Sequence, residues 1–282
     1  MEPEFISDTV RQSNRKRIQQ DTKCQLLIDE IKAIEEFVSS FGYLQSDSNL
    51  ILCKTWPFSL QALITSVEFT TGNIIMCCEH ACIADANTLL RKYRDDLFFY
   101  LYIVVYDSNR KLEPPFDTTR MEENISRWIQ NGLDNLYIQD VLRAIGTSPL
   151  LKDAVATYKL KKSFDAIGNR LNNFVHGNGY AYYNRVIEAY KNNEFYSHLK
   201  ALLDDLKYMT ITFLFLHILC SPISVMSTDY IDYLDFGKTP PEDSQYWVAP
   251  FVEQFISENS NLIDDNCYKY LLENTSMQFN PL

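Results

Sequence analysis

The chain has 282 residues, 46% of them hydrophobic and 13% aromatic, enough for one large or two modest domains with a substantial core. Only 8 glycines and 10 prolines interrupt it, which argues against a turn-rich β sandwich or barrel and for long regular elements. A net charge of −11 excludes a protein that coats nucleic acid non-specifically.

Residues 1–20 are polar and lack the apolar centre of an export signal. They predict a flexible N-terminal arm, with Arg11, Arg15, Lys16 and Arg17 in solvent. From Asp21 to Phe41, Leu26, Leu27, Ile31, Ile34, Phe37 and Val38 recur at helical spacing, and Gly42 is a reasonable stop. Pro57 suits the first turn of a helix running towards Thr70. The stripe Ile74, Ile75, Cys78, Cys82, Leu89, Leu90, Tyr93, Leu97, Leu101 and Val104 predicts one long helix ending near Asp107. The last third of that helix is apolar nearly all round, which means deep burial. After the loop EPPFDTTR, helices are expected at about 119–132, 136–146, 150–176, 180–192 and 195–220. The loop TPPEDSQYW and two short helices near 250–258 and 262–273 finish the chain.

No alternation of strand type runs longer than a few residues, so the expected fold class is all-α, a multi-helix bundle. Residues 21–227 form its main domain, and 228–282 add an acidic loop and short C-terminal helices packed on the same domain. Residues 208–228 contain no Asp, Glu, Lys or Arg, but Pro222 limits the strongly apolar helical run to about 13 residues. That length suits a buried core helix, and no membrane span is expected. Seven scattered cysteines, at 24, 53, 77, 78, 82, 220 and 267, suit reduced thiols in a cytoplasmic protein.

The candidate chemistry is sparse. Cys77, Cys78, His80 and Cys82 point in several directions on a helix, and no second pair at zinc-finger spacing accompanies them, so no metal or cofactor is expected. Asp95 and Asp96 are adjacent and diverge by about 100° on a helix, too far for one carboxylate dyad. Arg91 and Asp95 have the spacing of a surface ion pair, although one of the two acids can still face a site. There is no phosphate-binding Gly-rich loop, GxSxG or HExxH. His80, His198 and His217 lack obvious partners.

The segment GNRLNNFVHGNGY, 168–180, is different. From Lys152 to Arg185, six cations against Asp153 and Asp165 give +4, leaving −15 for the remainder. Arg170 and His176 lie six positions apart, about 120° on an ideal helix, but Gly177 marks a helix end where the last turn can open. Histidine can move protons near neutral pH, and arginine offers a permanently charged planar fork for phosphate. Asn172, Asn173 and Tyr180 add hydrogen-bonding groups, and Lys159, Lys161 and Lys162 add positive charge for a substrate backbone. Such a set can drive attack of a ribose 2′-hydroxyl on the adjacent phosphate, which makes RNA the expected substrate. The plain structural reading is a helix end, with Arg170 paired to an acid such as Asp165.

At RLNNFVH the chain resembles the HEPN superfamily, all-helical proteins marked by an Arg and a His with four to six residues between them near a helix junction. The resemblance implies a HEPN-like domain and a metal-independent endoribonuclease of bacterial phage-defence or toxin–antitoxin systems. Arg170 and His176 would then be catalytic, with Asn172, Asn173, Tyr180, Asp95 and Asp96 in support. It implies a homodimer with two motifs across one cleft, and a protein antitoxin or regulator as a partner. Some members are non-catalytic interaction or dimerisation modules. The chain departs from many members at Leu171, where they carry a polar residue, and at Asn178, where one toxin branch carries a tyrosine.

Overall fold

A computed structural model describes residues 6–45, 59–114, 116–130, 136–177 and 194–279. The helix expected at 180–192 lies outside them. Two helices with apolar residues on almost every side form the centre. They are α4, Ile83–Arg110, and α9, Glu194–Cys220. Leu97 to Val105 of α4 are buried without a break, as are Met209 to Ile218 of α9. The two run parallel. Tyr93 meets Thr210 near one end, Tyr100 meets Phe213 edge-on and lies tilted against His217, and the Ser108 hydroxyl bonds the Cys220 carbonyl at the other end. Thr210 donates to the Leu206 carbonyl, so Tyr93 is the donor in its 2.6 Å bond to Thr210.

Around this pair lie α1, Ile6–Gln20; α2, Thr22–Gln45; α3, Gln61–Glu79; α5, Thr119–Ile129; α6, Ile138–Thr147; α7, Lys152–Thr157; and α8, Leu160–Val175. α2 lays Ile31, Ile34, Val38 and Phe41 on α3 and α9, and Phe41 meets Phe213 edge-on at 5.6 Å. α8 runs antiparallel to α4, with Phe164 against Phe98 at 4.6 Å. The C-terminal elements are α10, Asp229–Asp235; α11, Pro250–Asn259; and α12, Cys267–Asn274. α11 closes on α2 through Phe255 stacked on Phe37, centroids 4.0 Å apart. Among the described residues there is no strand, only isolated bridges at Met226–Val248 and Trp247–Gln278. No helix among them is long and apolar enough to cross a membrane.

Three helices differ from the sequence reading. The segment expected as an arm forms α1 over Ile6–Gln20, which packs Ile18 against the core while its cationic residues stay exposed. The single helix expected from Ile74 to Asp107 is a hairpin of α3 and α4. Its turn is a Schellman closure: the Cys82 N–H bonds the Cys77 carbonyl, the Ala81 N–H bonds the Cys78 carbonyl, and Ala81 sits at φ +60. An alanine occupies the place glycine usually takes, so no breaker announces the turn. The helix expected at 150–176 is likewise divided. Tyr158 packs edge-on against Phe215 and Tyr270, and Lys159 turns the chain at φ +51 between α7 and α8.

One polar chain crosses the apolar centre. Gln45 Nε2 donates to the Ser224 carbonyl at 2.6 Å, and His217 Nε2 lies 2.6 Å from Ser224 Oγ. Ser224 Oγ donates to the Ser221 carbonyl, so the His217 ring donates through Nε2. Burial between Phe41 and Phe213 lowers the His217 pKa to about 3. The unfolded chain takes up a proton at this imidazole below about pH 6.5, and the native chain does not until about pH 3. Stability is therefore lost as pH falls through that window, at up to about 1.4 kcal/mol per pH unit from this group. Urea unfolding of the wild type should weaken more steeply from pH 6.5 to 5 than that of His217→Gln. Equal slopes would show that the buried ring does not set the acid limit.

Candidate functional site

α8 carries the Arg–His segment, and its end follows capping chemistry. Helical hydrogen bonding continues through His176, whose N–H bonds the Asn172 carbonyl at 3.0 Å, and Gly177 then reverses the chain at φ +58. The last turn stays wound, so the roughly 120° between Arg170 and His176 on a regular helix is kept. The His176 ring is exposed and bonds no other described residue.

Arg170 is tied down. Its guanidinium forms an ion pair with Asp205 of α9, the antiparallel neighbour, and not with Asp165. Asp165 is paired one turn away on its own helix with Lys161, at 2.6 Å. The Arg170 side chain is 42% exposed and that of Asp205 10%, so a carboxylate inside the bundle is neutralised by an arginine at its surface. Partial burial lowers the Arg170 pKa and the nearby charge of Asp204 opposes that, but arginine stays protonated under any physiological condition.

Asn172 and Asn173 are half-buried on the same turn, with Asn172 Oδ1 enclosed and unbonded among the described residues. Tyr180 lies outside the described residues. Asp95 and Asp96 are engaged on α4. Asp95 accepts from Arg94 Nε at 2.8 Å and Nη2 at 2.7 Å, and burial pushes its pKa up against the pull of that arginine. Asp96 accepts from Ser66 Oγ at 2.8 Å and from Lys92. Neither touches Arg170 or His176. Arg94 does reach α8: a Cβ on Gly168 would stand 2.8 Å from its Nη1, so the glycine admits a buried guanidinium one half-turn from Arg170.

Lys159, Lys161 and Lys162 come together with Lys152 around one open depression at the start of α8. Lys161 is about 22 Å along the helix from His176, at 1.5 Å per residue. The cationic patch and the Arg–His end thus occupy opposite ends of one helix. The cysteine-rich segment is spent on packing: Cys78 is fully buried, His80 Nδ1 bonds the Met76 carbonyl at 2.8 Å, and burial raises the Cys77 and Cys82 thiol pKa values. Among the described residues, no group of three His, Cys, Asp or Glu could hold a metal ion.

Sequence reasoning missed Asp205. The signal was present: Leu202 and Met209, three before and four after it, are buried on the same face of α9, and an acid in such a stripe calls for a cationic partner. No protein-family model, curated protein or solved structure matches the chain.

Arg170→Ala would strand the Asp205 carboxylate. Breaking a fully buried pair costs about 3–5 kcal/mol. The solvent-open arginine reduces the expected loss to about 1–2 kcal/mol. Adding Asp205→Asn should recover most of it in urea unfolding. Wild-type stability in Arg170→Ala alone would show that the pair does not support the fold.

Proposed function

We propose that the chain is a metal-independent endoribonuclease of the HEPN type, acting as a homodimer, with Arg170 binding phosphate and His176 transferring protons. The observation that carries this reading is the end of α8. There an arginine is held by a buried carboxylate while its side chain stays 42% exposed, and an exposed imidazole follows it. Neither group is consumed by the core. In a single chain they do not converge, so the reading needs a second copy to bring two such ends to one cleft. One His176 would take the proton of the ribose 2′-hydroxyl as that oxygen attacks phosphorus. The other would protonate the departing 5′-oxygen, leaving a 2′,3′-cyclic phosphate and a 5′-hydroxyl. Arg170 would hold the charged phosphate oxygens. The bacterial defence or toxin–antitoxin setting, and an antitoxin or regulator as partner, follow from the resemblance alone.

A second reading, a non-catalytic interaction module, draws on the same ion pair: holding Asp205 is a sufficient structural task for Arg170. The two readings part in one assay. Purified protein should cleave RNA in EDTA, leave 2′-O-methylated RNA intact, and lose about 10²–10⁴ in rate with His176→Ala. Arg170→Ala/Asp205→Asn should be stable but equally slow. Cleavage at the wild-type rate by that double variant would reduce Arg170 to a structural role, and no cleavage of any RNA by the wild type would leave the module reading.

A further inference from the structure

A cleft of about 350 Å³ opens between α6, α7 and α8. Phe98 of α4 and Leu216 of α9 form its floor from the central pair, and Leu142, Ile145, Val155, Leu160 and Phe164 complete its apolar lining. Its size falls in the range of small-molecule sites. Its polar side chains are Gln139, Arg143, Thr147, Lys161 and Asp165, all of them exposed or half-exposed. At Gly146, Val155, Lys161 and Asp165 the cleft runs into the lysine-lined depression, so apolar space and cationic rim are continuous. Lys161 and Arg143 are answered by Asp165 and Asp140. Lys152, Lys159 and Lys162 form no ion pair among the described residues, and so leave uncompensated positive charge beside the opening in an acidic chain.

We infer that this cleft binds a single-chain aliphatic anion, with the chain against Leu142, Ile145, Val155 and Phe164 and the carboxylate or phosphate headgroup at Lys159 and Lys162. The apolar walls choose the chain. A nucleobase placed there would lose its hydrogen bonds to water and find few replacements, whereas an alkyl chain loses none. The lysines choose the head: a neutral amphiphile would gain nothing from them, and an anion would partly neutralise them. The inference stands independently of RNA cleavage.

Gly146 gives the test its lever, because it lies where cleft and depression meet. A Cβ there would rest 3.6 Å from Val155 Cγ1, an ordinary contact, so Gly146→Ala should fold and bind. Gly146→Phe should fill the opening. Calorimetric titration of the full chain with decanoate and with decyl phosphate, below their micellar concentrations, should show one saturable site. Decanol and inorganic phosphate should each bind at least tenfold more weakly. Gly146→Phe should abolish uptake. Lys159→Glu/Lys162→Glu, confined to exposed residues, should weaken the anions about tenfold and leave decanol unchanged, an arm that stands even if Gly146→Phe does not fold. No uptake of either anion, or uptake indifferent to the lysine changes, would overturn the inference. So would displacement of decyl phosphate by a short oligouridylate, which would make the cleft an RNA site. A dimer dissolved by both Gly146→Phe and Phe236→Ser, with no uptake, would also overturn it: the cleft would then seat the exposed Ile231 and Leu234 of a second copy's α10 and the Phe236 that follows it.

Discussion

Parallel packing of α4 on α9 is the contact on which the other elements depend. The C-terminal part of each helix is apolar on nearly all sides, and such a segment is stable in water only when others surround it. The arrangement follows from that need. α2 and α3 cover one side, α8 another, and α5, α6, α11 and α12 close what is left. Some of the polar groups that remain inside are bonded to one another, as in Tyr93 with Thr210 and His217 with Ser224. Losing one partner would leave a buried donor or acceptor unsatisfied, typically a cost of about 1–3 kcal/mol.

The candidate site is a by-product of this scaffold. α8 is fixed to α4 at Phe98–Phe164 and at the close approach of Arg94 to Gly168, and to α9 at Arg170–Asp205. Three contacts along sixteen residues leave the helix little freedom, so its two ends are presented at fixed positions. One end shows a cationic patch and the other an exposed imidazole and, about 120° round the helix, a half-exposed guanidinium. Asp205 has two consequences for Arg170. It orients the fork, and it withdraws part of the charge that a phosphate would otherwise use. The same ion pair therefore sustains both an enzymatic and a purely architectural account of this helix end.

The cleft beneath α6 and α7 has a different origin. α7 is short because Tyr158 is drawn into an aromatic contact with Phe215 and Tyr270, and Lys159 then turns the chain. A single unbroken helix across 150–176 would place Lys152, Lys159 and Lys162 within about 80° of one another but Lys161 on the opposite side. With the break at Lys159, all four lysines border one depression beside the apolar cleft.

Sequence alone determined the helical class, because the 3.6-residue period depends only on which residues are apolar. It also determined the burial of α4 and α9, whose apolar runs leave no face for water, and the stop at Gly177, whose φ of +58 suits a residue without a Cβ. Tertiary structure decided what depends on partners distant in the chain. Ile18 found a core that turned a polar segment into a packed helix. Ala81 adopted a left-handed turn because α3 and α4 gain more by folding back on each other than by continuing straight. Arg170 chose Asp205, thirty-five positions away, over Asp165 on its own helix, because Asp205 is the more buried carboxylate, 10% exposed against 37%, and needs a counter-charge more. Periodicity reports which face of a helix is buried, but not what that face will meet, and the role of Arg170 depends on what it meets.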